Sequence, residues 1–89
     1  DYPRFFNPNG DGQNDTWNIP DLRNDTNATI KIYTRFGRLV AIIKPSGQGW
    51  NGYNNGGKKE PSSDYWFLVE YTKNGLSETF KSNFSLLRR

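Results

Sequence analysis

Asp64-Tyr-Trp-Phe-Leu-Val-Glu-Tyr71, then Lys73-Asn74-Gly75, then Ser77-Glu-Thr-Phe-Lys-Ser-Asn-Phe-Ser-Leu-Leu87 is the stretch that decides the fold class. Successive side chains of a strand point to opposite faces, so alternation is the signature of a half-buried one. Tyr65, Phe67, Val69 and Tyr71 fall on one face of the first run. In the returning run Phe80, Phe84 and Leu86 share a side, opposite Thr79, Lys81 and Asn83. Asn-Gly between two such runs is the strongest short hairpin signal. The segment therefore reads as an antiparallel pair.

Working upstream, Thr29–Arg35 alternates with Ile30 and Ile32 on one face and Lys31 and Tyr33 on the other. Phe36-Gly37-Arg38 interrupts it, and Leu39–Lys44 resumes as a more continuously apolar strand, giving a second hairpin. Ser46–Ser63 is a loop by composition, with five glycines, and Trp50 and Tyr53 are expected to pin it to the core. Further short strands are expected at Trp17–Ile19, around Arg4–Phe6 and near Trp50. The chain's eleven Asn and nine Gly are poor helix formers, and no helix longer than about two turns is expected. Six or seven short strands predict an all-β domain, a small antiparallel β-sandwich of about seven strands. Ile30, Ile32, Phe67, Val69, Phe80 and Phe84 are its expected core.

At 89 residues the chain is a single domain, 1–89, with room for one small core. Only 33% of residues are hydrophobic, but 16% are aromatic, and each buried ring removes roughly 150–250 Å² from water. The chain has no Cys and no His, which excludes disulfide frameworks, zinc knuckles, thiol nucleophiles and a Ser-His-Asp triad. No apolar run is long enough to span a membrane. With no initiating Met, the chain reads as a piece of a longer protein. Residues 1–28 carry a net charge of −3 and residues 29–89 a net charge of +6. The cations are dispersed rather than clustered, which argues against a nucleic-acid partner. The expected state is a monomer.

The oxygen-bearing side chains Asn7, Asn9, Asp11, Gln13 and Asp15 alternate along one loop, with Gly12 inside it. Hard cations take six to eight oxygens, and a loop with ligands at alternate residues can wrap around one. With Asn7 in first place of an EF-hand-type loop, Asn9, Asp11, Gly12 and Asp15 take the third, fifth, sixth and ninth places. The twelfth is Asn18, where a bidentate Glu is expected. So few charges predict weak Ca²⁺ affinity, about 10⁻⁴ M or poorer. The same residues stabilise turns with no metal at all, and no cofactor is required. Trp50, Tyr53, Tyr65 and Trp66 offer either a sugar-stacking platform or core. No acid pair has a nucleophile or base beside it, so no catalytic residues are assigned.

Three stretches together carry a resemblance. Phe5-Phe6-Asn7-Pro8-Asn9-Gly10-Asp11-Gly12-Gln13-Asn14-Asp15-Thr16-Trp17 resembles the F-x-PNGDG-x-ND-x-W opening of the gliding-motility-associated C-terminal domain, the type B sorting domain of the type IX secretion system of Bacteroidetes. Ile30–Gly37 is similar to that family's I-x-I-(F/Y)-(D/N)-R-(Y/F)-G segment, with Thr34 in place of the usual acid or amide. Gly49-Trp50-Asn51-Gly52 and Pro61–Phe67 resemble its GW-(D/N)-G and P-(S/T)-x-(D/T)-Y-(W/F) segments, and Arg88-Arg89 its basic ending. The resemblance implies an immunoglobulin-like fold at the end of a large secreted or surface protein. It also implies a non-enzymatic sorting role: cargo passes the periplasm and crosses the outer membrane through the secretion machinery, to be secreted or held on the cell surface. For such an address the candidate recognition residues are Phe84, Leu86, Leu87, Arg88 and Arg89. In this reading the last strand docks by β-augmentation and the two arginines meet an acidic receptor. The rival is a carbohydrate- or protein-binding module, which needs Trp50, Tyr53 and Trp66 coplanar and facing solvent.

Overall fold

A computed structural model describes residues 2–10 and 15–88. The described chain is all-β. Strands β1 (Phe5–Phe6), β2 (Thr29–Thr34), β3 (Leu39–Ile43), β4 (Ser63–Lys73) and β5 (Leu76–Leu86) form one mixed sheet in the order β1-β5-β4-β2-β3. Pro20–Leu22 adds a single 3₁₀ turn. The β4–β5 hairpin is the spine, in register from Ser63 opposite Leu86 to Lys73 opposite Leu76. Asn74 and Gly75 close it, both with positive φ (54° and 80°), the pairing that a two-residue turn of matching twist demands. β2 pairs antiparallel with both β4 and β3. In the β2–β3 turn, the Thr34 hydroxyl accepts hydrogen bonds from the Phe36 and Arg38 amides (3.2 and 3.1 Å). A side-chain oxygen thus satisfies the turn's backbone donors, as an acid or amide also would.

The expected two-layer sandwich of seven strands is met only at the level of class. Among the described residues the sheet has five strands, and its inner face is roofed by irregular chain. Ile30, Ile32, Tyr65, Phe67, Val69, Phe84 and Leu86 point into a core closed by Phe6, Trp17, Ile19 and Trp50. Trp17 and Trp50, expected in strands, form one isolated antiparallel bridge, exchanging backbone hydrogen bonds of 2.9 and 2.8 Å. The reason lies in the polar side chains. Asn18 Nδ2 donates to the carbonyls of Pro45 and Gly47, and Asn51 and Asn54 accept from nearby backbone amides. Side-chain amides thereby compete with a ladder, and Pro20 removes a donor.

One expected core residue is displaced. Phe80 lies on the core side, opposite Val69, but is 47% exposed. Its row is complete on the inner side, Val69 being paired with Ile30, but β1 pairs with β5 only at Ser85 and Leu86, so Phe80 stands at the uncovered edge of the sheet. Phe80 is left with Tyr2 and Phe67 as ring neighbours, at 6.2 and 6.0 Å.

Candidate functional site

The C-terminal segment is built into the fold rather than presented by it. Phe84 and Leu86 are core residues, with Phe84 stacked on Trp17 at 4.1 Å and an interplanar angle of 8°. The edge of β5 at this end is already occupied. β1 runs parallel to it, Phe5 opposite Ser85 and Phe6 opposite Leu86, and the Ser85 and Leu87 amides donate to the Arg4 and Phe6 carbonyls. Among the described residues, β-augmentation there has no open backbone to use. What remains without a strand on its outer side is the first part of β5, from Leu76 to about Asn83.

Arg88 is also held. Its amide donates to Ser62 Oγ (2.8 Å), Nε to the Glu60 carbonyl (2.9 Å) and Nη2 to the Gly52 carbonyl (2.8 Å). A Cβ on Gly52 would lie 2.8 Å from that guanidinium, and Gly52 has φ +88°. The second glycine of Gly49-Trp50-Asn51-Gly52 thus opens the seat for Arg88. The first, at φ +93°, lets the Trp17 carbonyl approach to where a Cβ would be only 2.6 Å away. Arg89 lies outside the described residues.

Beside this seat is Glu60, the one buried charged residue among those described, at 3% exposure. It pairs with Arg38 at 3.2 Å and accepts from Asn54 Nδ2 at 3.0 Å, while its amide donates to the Gly52 carbonyl. A buried carboxylate persists only when it is so partnered. Sequence reasoning passed over Glu60, because a single acid in a Gly/Asn-rich loop carries no periodic signal. Tyr65, also buried, donates to the Pro61 carbonyl at 2.6 Å. Burial and then the nearby Glu60 charge push its phenol up to about 12 from 10.0.

That shift makes a prediction. The folded state holds the Tyr65 proton more tightly than the unfolded chain, so its contribution to stability is complete below pH 10 and lost as pH rises toward 12. A two-unit difference corresponds to about 2–3 kcal/mol. Alkaline denaturation monitored by circular dichroism should shift to higher pH in Tyr65→Phe, which has no phenol to ionise.

The N-terminal loop is described in part. Asn7, Asn9 and Asp15 are placed, whereas Asp11 and Gln13 lie outside the described residues. Asp15 Oδ1 accepts from the Gly10 amide at 2.9 Å, drawing the two ends of the loop together. Asn7 Oδ1 is buried and has no hydrogen-bond partner among the described atoms. Asn18, the twelfth place of the loop, is committed to the Pro45 and Gly47 carbonyls and to the Ile19 amide.

The aromatic platform does not assemble. Trp50 is 2% exposed and Tyr65 is buried beside it, while Tyr53 and Trp66 remain partly exposed. The outer face of the sheet, opposite the core, carries the exposed apolar side chains instead. The register sets Leu39, Tyr33, Trp66 and Asn83 in one row and Ile42, Lys31, Leu68 and Lys81 in the next. Their alternation with the core positions was visible in the sequence, but which face stays uncovered was not. Among the described residues no helix is long and apolar enough to cross a membrane.

Against known proteins, a family model described as the CHU_C type IX secretion signal domain matches residues 1–86. A search of the curated proteins finds no match.

Proposed function

Because the chain belongs to the type IX secretion signal domain family, we propose that it is a non-catalytic C-terminal address. It directs a covalently continuous cargo from the periplasm across the outer membrane, to the medium or the cell surface. The observation that carries this reading is the family match over nearly the whole chain, residues 1–86. The chemistry is consistent with an address: with no His and no Cys, the chain lacks the commonest general base and the thiol nucleophile. Recognition then rests on shape, charge and backbone edges. The burial of Phe84 and Leu86 and the anchoring of Arg88 make the C-terminal segment a support for the presented surface. A reporter with a signal peptide and this domain at its C-terminus should reach the medium or surface of a type IX-competent host. Retention in the periplasm at the level of the reporter alone would contradict the reading.

A second reading concerns the N-terminal loop, and the buried, unpartnered Asn7 Oδ1 favours it. Asn7, Asn9, Asp11, Gln13 and Asp15 bind Ca²⁺ weakly and use it to fix the loop. At about 100 times its Kd a ligand adds roughly 2.7 kcal/mol, a rise in Tm of about 10–20 °C for a domain of this size. Millimolar calcium should raise Tm, and Asp11→Ala should remove the rise. An unchanged Tm at saturating calcium would leave the loop as turn chemistry alone.

A further inference from the structure

The outer face of the sheet holds a groove of about 560 Å³ between the β2–β3 turn and β5. Tyr33, Phe36, Trp66 and Leu68 give it apolar walls, and among the described residues its only charged lining groups are Arg35 and Lys81. Phe36 is 88% exposed and Trp66 40% exposed, so two aromatic rings stand bare on one face. The two cations stand against the rings: the Arg35 guanidinium lies 5.4 Å from the Phe36 ring centre and Lys81 Nζ 5.9 Å from that of Trp66. Rings and cations therefore form one mixed surface.

We propose that this groove is the docking surface of the domain, and that its occupant is an acidic, partly apolar polypeptide segment of the export machinery. The proposal rests on the sorting reading above. Charge complementarity selects the sign, since among the described residues two cations and no acid line the groove. Aliphatic side chains among the rings select a polypeptide over a glycan: Leu68 within the groove and Ile42 beside it, the latter 53% exposed, offer nothing to sugar hydroxyls. Concavity argues against a membrane surface, which is flat and cannot fill a groove. An extended segment displays alternate side chains on one face about 7 Å apart. An apolar side chain on that face has the Trp66 ring to rest on, and carboxylates flanking it on the same face have Arg35 and Lys81, the cations that stand against the rings.

The test has two readouts. In the first, a synthetic peptide whose every second residue runs Glu, Phe, Glu, Leu, with Ser between them, is titrated into the isolated chain and Trp fluorescence is followed, Trp17 and Trp50 being buried and Trp66 the responsive ring. Saturable binding is expected, weakened tenfold or more in the double variant Arg35→Glu, Lys81→Glu. Phosphatidylglycerol vesicles and polygalacturonate are titrated in parallel. Absence of peptide binding, or stronger binding to either alternative, overturns the proposal. In the second, the same double variant is fused to the exported reporter. Export should drop at least tenfold while Tm stays within a few degrees, and Leu76→Asp, on exposed surface away from the groove, should export normally. Normal export of the double variant overturns the groove while leaving the sorting reading intact. Failure of the unsubstituted fusion overturns the sorting reading, and the peptide titration still decides the groove's specificity.

Discussion

Trp17→Ala is expected to lower stability by roughly 3–5 kcal/mol, which at its upper end unfolds about half the population of a domain near the low end of the usual 5–15 kcal/mol. Trp17 is fully buried, stacks on Phe84 and lies 4.9 Å from the Phe67 ring centre. Its indole N–H donates to the Pro3 carbonyl at 2.8 Å, so truncation also strands a polar group. Among the described residues no second sheet backs this core, and the irregular roof has few ladder bonds with which to contract around a cavity. Chemical denaturation followed by circular dichroism would measure the loss. A change below about 1 kcal/mol would show that the roof repacks freely and that Trp17 is not its keystone.

Gly49→Ala should be nearly as damaging, by about 3 kcal/mol, although it adds a single methyl group. A φ of +93° strains any side-chain-bearing residue by about 1–3 kcal/mol. The new Cβ also meets the Trp17 carbonyl at 2.6 Å, forcing apart a bridge whose two hydrogen bonds are worth about 1 kcal/mol each. Gly37→Ala is the internal control. Its φ is +91° but nothing lies within 4 Å of the added Cβ, so only the strain is expected. If the two variants melt alike, the Trp17–Trp50 bridge contributes little and the roof is held by side-chain packing alone.

The comparison between residues and structure follows the range of the interactions. The hairpins were legible because their determinants are local: alternation in Thr29–Thr34 and Ser63–Lys73, and Asn74-Gly75 at the turn. Trp17–Ile19 and Trp50 look equally strand-like in a short window. Their fate is decided by Asn18, Asn51 and Asn54, whose side chains capture backbone groups. The parallel pairing of Phe5–Phe6 with Ser85–Leu86 joins the two ends of the chain and leaves no local pattern to read. It nonetheless changes the functional reading most, because it closes the edge that the last strand was expected to offer.

The same holds for Arg88. A basic residue at the end of a chain reads as a free charge, yet its partners here are the Gly52 and Glu60 carbonyls, which every residue possesses and no sequence pattern advertises. Substituting Arg88 therefore disturbs fold as well as any address, and lost export in such a variant does not by itself identify a receptor contact. Lys81 and Arg35, on the open face, separate the two questions.

The most direct test of the central claim is the distribution of a signal-peptide reporter carrying this domain at its C-terminus, in a type IX-competent host and in the same host lacking the translocon. The account predicts reporter in the medium or on the surface of the first and periplasmic retention in the second, with the reporter alone retained in both. Equal export in the two hosts, or retention in both, would contradict the assignment of this domain as a type IX address.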